Sequence, residues 1–237
     1  MTRGPEPDDH FARIYAERAD AYEAMTSRED YKGNLPATLA GICDTEGMDI
    51  VDLGSGTGRL AAMLAPKAHS VAAFDLSPAM LRVADCRLRA GGLENWRTAV
   101  ADHRGIPLPG ACADVVLSGW SLVYTVVWYP ETWQQELYRA LREIQRVLRP
   151  GGTVVVFETM GTGHETPNPP ADLLPYFGAL EDAGFLSTWF RTDFRFADEE
   201  EAKSMTTFFF GDEIADAIQG DAPAILPECT GVWWRRY

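Results

Sequence analysis

Two hydrophobic rhythms divide this chain. From His10 to Ala40, Phe11, Ile14, Tyr15, Arg18 and Tyr22 recur at three- and four-residue intervals, which predicts helix, and "TSRED" reads as a stop and restart. After that the period changes. "DIVDL" predicts a buried strand, "GRLAAMLAPKA" a helix, "SVAAFDLS" a strand, and "PAMLRVADCRLRAGG" a helix with Pro78 in its first turn and glycines at its end. A short strand "WRTAVAD", a Pro- and Gly-rich loop, the strand "ADVVLSGW", the long helix "ETWQQELYRALREIQRVL" and the strand "TVVVFET" follow. Alternation of this kind predicts an α/β fold: a doubly wound, mostly parallel sheet with right-handed crossovers. In the tail, "LSTWFRTDFRFA" and "ECTGVWWRRY" predict two more strands with helices between, which brings the sheet to seven strands and closes it with an antiparallel edge strand.

The 237 residues suit one domain, read as a helical lid over 1–48, a ligand-binding core over 49–158, and a C-terminal part of the sheet with a substrate-side loop over 159–237. Composition narrows the function. The net charge of −14 is uneven: residues 1–50 hold 11 acids and 5 bases, residues 51–150 hold 9 and 11, and residues 151–237 hold 15 and 5. Such a surface repels phosphate backbones, so no nucleic-acid partner is expected. No apolar run reaches the roughly 20 residues of a membrane helix, and the polar, acidic start is unlike a secretory signal, so no membrane partner and a cytoplasmic location are expected. Cys43, Cys86, Cys112 and Cys229 are scattered, with no CxxC pair and no His at ligand spacing, which reads as reduced thiols and no metal site. "FFFG" at 208–211 and "VWW" at 232–234 seat the last helix and strand on the sheet, a homodimer interface being the alternative use of that apolar area.

The chemistry concentrates in "VDLGSGTG", where three glycines fall within five residues behind the first strand. Glycine costs about 0.5–1 kcal/mol relative to alanine inside regular structure, so this backbone turns sharply and lets a ligand approach. Amide N–H groups at a helix N-terminus, at the carboxyl end of a sheet, suit a nucleotide-type ligand. The spacing is G-x-G-x-G, however, and Asp52 precedes it. A carboxylate there opposes a pyrophosphate and favours a cationic ligand.

Together, "VDLGSGTG", the acid in "AAFDLS", the "VAD" ending the third strand, "ADVVLSGW" and "LRPGG" resemble, in order over about residues 50–158, the class I S-adenosylmethionine-dependent methyltransferases, of the small-molecule type. The resemblance implies a Rossmann-like fold and S-adenosyl-L-methionine as cofactor. It implies that Gly54, Ser55, Gly56 and Gly58 cradle the methionine portion and ribose above Asp52, and that Asp75 takes both ribose hydroxyls. Leu76 would pack on the adenine, Asp102 would receive its amino group, and His103 would cover or flank the ring. Ser118 and Gly119 would line the methyl end. From the lid, Tyr22 is expected at the cofactor, with Tyr15 on the same helix face, and Arg28 and Lys32 as candidates for the cofactor carboxylate.

Methyl transfer from a sulfonium is an in-line displacement, which asks mainly for positioning and exclusion of water. A general base is required only where the acceptor still holds its proton. His164 is the candidate base and Trp120 the candidate substrate contact, among Tyr124, Trp128, Tyr129 and Glu158 in the loops after strands four and five. The expected reaction is therefore metal-independent methylation of a small molecule. Two alternatives stay open: a non-catalytic S-adenosylmethionine-binding regulator or partner protein, and an NAD-dependent oxidoreductase, which G-x-G-x-G and the late position of the glycine loop disfavour.

Overall fold

Strands buried on both faces need mostly apolar residues, and that is how β1 (Asp49–Leu53), β2 (Ser70–Asp75), β4 (Ala113–Gly119) and the middle of β5 (Leu148–Thr162) read apart from the acids and serines at their ends and the buried Asp52 of β1. A computed structural model describes residues 9–237. With β3 (Trp96–Val100) at one edge, these strands pair in parallel in the order β3-β2-β1-β4-β5. Successive side chains point to opposite faces. Val51, Leu53, Val154 and Val156 therefore face one apolar layer, with helices α7 (Trp133–Val147) and α8 (Leu174–Asp182), while Ile50, Leu117, Val155 and Phe157 face the other. That second layer contains α3 (Asn34–Ile42), α4 (Arg59–Leu64) and the end of α5 (Pro78–Ala90).

Local chemistry sets the helix ends. Ser77 caps α5 by accepting the Met80 N–H at 3.3 Å, Pro78 occupies its first turn, and Arg87 and Arg89 stand in its last, where cations oppose the helix dipole. Arg18 departs from helical backbone at φ −127° and divides the N-terminal pattern into α1 (His10–Glu17) and α2 (Ala19–Thr26). Leu35 and Leu39 of α3 are buried in the sheet's own core, whereas Tyr15 of α1 and Tyr22 of α2 line cavities at the carboxyl ends of the strands. The short helix α6 (Tyr124–Val127) sits between β4 and α7.

The tail differs in detail from its expected path. β6 (Leu186–Arg191) forms the second sheet edge, and β9 (Glu228–Arg236) runs antiparallel between β5 and β6, one place in from that edge. The expected strand "LSTWFRTDFRFA" breaks at Thr192 and Asp193. Both are buried and committed elsewhere, Thr192 to Thr230 at 2.6 Å and the Asp193 carboxylate to the Arg191 guanidinium at 2.6 Å and the Glu228 N–H at 3.1 Å. Beyond the break, β7 (Phe194–Phe196) pairs with β8 (Ala224–Leu226) in a separate ribbon. With α9 (Glu199–Phe210) and α2, this ribbon closes a third apolar cluster around Met25, Phe194 and Phe196. That cluster stands beside the carboxyl ends of β1, β4 and β5. Among the described residues no helix is long and apolar enough to cross a membrane.

Candidate functional site

At the carboxyl end of β1 the chain turns through Gly54, Gly56 and Gly58 at φ +64°, +54° and +79°, the left-handed region that favours glycine. Two of them are also held by close neighbours. A Cβ at Gly54 would lie 2.2 Å from the Ser121 Cβ, and one at Gly58 would lie 3.0 Å from the Ala84 Cβ of α5. Gly56 has no atom within 4 Å of where its Cβ would be, so its face of the loop opens into free space.

That space is a pair of cavities sharing Tyr15, Tyr22, Gly54, Gly56, Gly119 and Trp120 as common walls. The smaller, about 60 Å³, lies over β1 and β2 and is bounded by Asp75, Leu76, Met80 and His103. The larger, about 350 Å³, extends over β4, β5 and β9 to the third apolar cluster. In the smaller cavity, Asp75 accepts the Gly56 N–H on one oxygen at 2.8 Å and the Ser77 N–H on the other at 2.7 Å. Each oxygen keeps a lone pair for a ligand hydroxyl. Burial pushes its carboxyl up against the lowering effect of those amides. Leu76 stays 40% exposed beside it, as an apolar surface free to take a planar ring.

Asp52 projects from β1 toward α4, where one oxygen accepts the Ala61 N–H at 3.0 Å. Its other oxygen is buried and has no partner, and burial pushes the carboxyl up to about 7, with Asp75 adding to the shift. The Ser55 hydroxyl is likewise buried and unpartnered at the cavity wall. Both expect polar atoms from a ligand. The open face of Gly56, the unpartnered acid and hydroxyl, and Asp75 beside an apolar wall fit a nucleoside carrying a cationic amino-acid arm.

Several expected site residues are placed differently. Asp102 lines neither cavity: both its oxygens are held by Arg104, at 2.7 and 2.6 Å, and Arg104 also bonds Glu136 and the Tyr129 hydroxyl. Against the upward push of burial, these bonds hold the Asp102 carboxyl below its ordinary range. Its neighbour His103 does reach the smaller cavity, half-buried, with Nε2 3.2 Å from the Ser121 Oγ, and desolvation lowers its pKa. Ser118 stands one layer behind, hydrogen-bonded at 2.8 Å to Ser121, which donates to the Leu53 carbonyl. It positions Ser121 and does not line the space itself. Gly58 likewise packs on α5 behind the loop.

His164 is exposed, bonded to Asn168 at 2.9 Å, and lines neither cavity. β5 continues as far as Thr162, so Glu158, Thr159 and Thr162 border the larger cavity and His164 lies past its rim. Arg28 pairs with Glu201 at 2.7 Å and Lys32 with Asp193 at 3.6 Å, both away from the cavities. Arg59, the first residue of α4, does line the larger cavity, and it bonds Glu29 at 2.6 Å.

Trp120 stands at the junction of the two cavities. It is a bulky residue held at φ +51°, stacked on Phe157 with ring centroids 6.1 Å apart and with the Arg59 guanidinium 4.9 Å from its ring. Strain of this kind persists only where the surroundings enforce it, and it concentrates at ligand sites. Tyr15 and Tyr22 meet edge to face at 5.5 Å over the cavities, and the Tyr15 hydroxyl is hydrogen-bonded to that of Tyr124 on α6. That bond ties α1 to the body of the protein across the site.

The larger cavity has apolar walls and an acidic floor. Five carboxyl groups line it, Glu29, Asp52, Glu158, Asp172 and Glu228, with the single guanidinium of Arg59. Glu158 accepts the Val123 N–H and the Tyr176 hydroxyl, each at 2.9 Å, and burial pushes its carboxyl up to about 8. Glu228, also raised to about 8 by burial, accepts the Thr159 hydroxyl at 2.8 Å on one oxygen only.

A family described as "Methyltransferase domain" matches residues 51–156. The chain is 33% identical over 153 residues to a malonyl-[acyl-carrier protein] O-methyltransferase of Serratia marcescens, covering 64% of this chain and 53% of that protein. It is 30% identical over 206 residues to the ubiquinone/menaquinone biosynthesis C-methyltransferase UbiE of Shewanella frigidimarina, covering 76% and 78%. It thus spans about half the length of the first relative and most of the second. In fold it is similar to a SAM dependent methyltransferase from Aquifex aeolicus, with TM-score 0.53 and 18% identity over 97% of this chain and 93% of that one.

Proposed function

Because this chain belongs to the class I S-adenosylmethionine-dependent methyltransferases, we propose that it transfers a methyl group to a small acceptor held in the larger cavity. S-adenosyl-L-methionine is the family's methyl donor, and when bound it supplies an electrophilic methyl on a sulfonium. The residues present suit it: Asp75 and Leu76 for the ribose and adenine, and Asp52, Ser55 and Gly56 for the amino-acid arm. Arg59 is available to a carboxylate. His103 flanks the nucleoside end through its contact with Ser121.

The observation that carries the reading is the junction at Gly119 and Trp120, where the two cavities meet. A nucleophile entering from the larger side is brought against a group held on the smaller side, and Tyr15, Tyr22 and Tyr124 screen the junction from water. Trp120 contributes a rigid wall there. Of the side chains lining the larger cavity, the Glu158 carboxyl, raised to about 8 by burial, can hold or take a proton. Placement in the cytoplasm belongs to the same reading and draws on all four thiols being free.

Calorimetric titration with S-adenosylhomocysteine, followed by transfer of a tritium-labelled methyl to small-molecule, protein and RNA fractions of a cell extract, tests this. The label should enter the small-molecule fraction. Asp75→Ala should weaken S-adenosylhomocysteine binding by about 1–3 kcal/mol through loss of hydrogen bonds to the ribose. Binding unchanged by that substitution, or label confined to protein or RNA, would overturn the assignment.

A further inference from the structure

Trp120 walls both cavities where they meet, and its backbone is fixed there, with φ at +51° and its N–H donating to the Phe157 carbonyl at 2.6 Å. A fixed backbone does not fix the indole, which still turns about its side-chain bonds. Two neighbours restrain it. The Phe157 ring stacks with it at 6.1 Å between centroids, and the Arg59 guanidinium lies 4.9 Å from its ring centroid. Arg59 is itself held: it donates to the Glu29 carboxylate at 2.6 Å, and among the described residues this is its one hydrogen bond. Both side chains are largely withdrawn from water, at 18% and 7% exposure, where an ion pair and a cation over an aromatic face are each stronger than at the surface. Burial pushes the Glu29 carboxyl up, and the Arg59 guanidinium is the chief influence opposing that. Glu29 is anchored in turn, since its backbone bridges Phe194 of β7. The same ion pair also borders a separate hollow with Asp30, Leu35 and Arg87, so the guanidinium stands between two spaces and Glu29 is what keeps it in place.

We propose, resting on the methyltransferase reading, that Arg59, tethered by Glu29, is a positioning residue that holds the Trp120 indole at the junction where acceptor and methyl group meet. Methyl transfer needs the nucleophile in line with the sulfonium carbon, and a misplacement of about 1 Å can cost about a hundredfold in rate. A wall that rocks would let the acceptor drift. In this role Arg59 acts through Trp120 and not on the reacting atoms, and Glu29 carries the restraint from the ribbon to the junction.

Because Arg59 is also available to the cofactor's carboxylate, the tether is cut at Glu29. Glu29→Gln keeps the size and removes the charge that fixes the guanidinium. The seven tryptophans of the full chain each give one indole peak in a proton–nitrogen correlation spectrum, and Trp120→Phe identifies the Trp120 peak by its loss. In Glu29→Gln that peak should shift or broaden while the other six stay in place. Affinity for S-adenosylhomocysteine and the KM for S-adenosylmethionine should remain within about threefold, whereas the maximal rate of labelled methyl transfer to the small-molecule fraction should fall at least about tenfold. Should Glu29→Gln fail to fold, shown by collapse of the other indole peaks, Arg59→Lys takes its place. It keeps a cation beside Glu29 but loses the planar guanidinium over the ring, and should move the Trp120 peak and lower the maximal rate at least about threefold. An unmoved Trp120 peak, all indole peaks shifting together in a folded variant, an unchanged maximal rate, or a loss confined to KM would overturn the inference. Failure of wild-type protein to bind S-adenosylhomocysteine, or to pass label to the small-molecule fraction, would instead overturn the reading beneath it.

Discussion

Asp52→Asn should stabilise the ligand-free protein and weaken cofactor binding in the same molecule. The side chain is 1% exposed, with one oxygen on the Ala61 N–H and the other without a partner. Burial raises its carboxyl from 3.8 to about 7. A carboxyl whose folded-state pKa lies above its unfolded value favours the folded state when protonated. Its contribution is therefore complete below about pH 4 and is lost as pH climbs to about 7, at about 1.4 kcal/mol per unit, so that the ionised group costs the free fold up to about 4 kcal/mol at pH 8. Asparagine keeps the acceptor for Ala61 and carries no titrating charge. For a chain of this size each kcal/mol moves Tm by about 2–4 °C. The Tm advantage of Asp52→Asn, followed by circular dichroism between pH 4 and 9, should widen from pH 4 to 7 and then level off, reaching about 8–16 °C. Under the same conditions affinity for S-adenosylhomocysteine should fall by about 1.5–3 kcal/mol, because the unpartnered oxygen is the one available to a cationic ammonium. A Tm difference independent of pH, or a variant less stable than wild type at pH 8, would refute the argument.

Gly54→Ala forces a Cβ to 2.2 Å from that of Ser121 at φ +64°, and should lower stability by about 2–4 kcal/mol in denaturant unfolding. Gly56→Ala meets no neighbour and should cost only the left-handed penalty of about 1–2 kcal/mol, while obstructing the cofactor. Tyr124→Phe removes the hydrogen-bond partner of the half-buried Tyr15 hydroxyl, so unfolding should become easier by about 0.5–1.5 kcal/mol and amide exchange in α1 should quicken. His164→Ala should leave methyl transfer within about twofold of wild type, since the side chain is exposed and lines neither cavity. A hundredfold loss would return the histidine to the chemistry.

Local regularity made much of this protein legible along the chain. Strand and helix periods, the Pro78 start of α5 and the glycines after β1 each depend on neighbours within a few residues. The parallel order follows from them because right-handed crossovers leave few other arrangements. Asp52, Asp75 and Gly56 could be read for the same reason, standing at strand ends where the topology opens a crevice. Asp102 shared that position and was taken up by Arg104, two residues on, a partner whose claim was visible in the sequence as an adjacent cation.

Other features needed the tertiary structure. Arg59 meets Glu29 across thirty positions, Tyr124 meets Tyr15 across more than a hundred, and Thr159 meets Glu228 across sixty-nine. The antiparallel insertion of β9 is what brings Glu228 to the cavity, and the length of β5 is what carries His164 past it. Periodicity tells which face of an element is buried; which distant polar group shares that burial depends on how the elements pack. For that reason the smaller cavity, over β1 and β2, can be read from sequence, whereas the larger cavity, assembled from the N-terminal helices, the ribbon and the last strand, exists only in the folded chain.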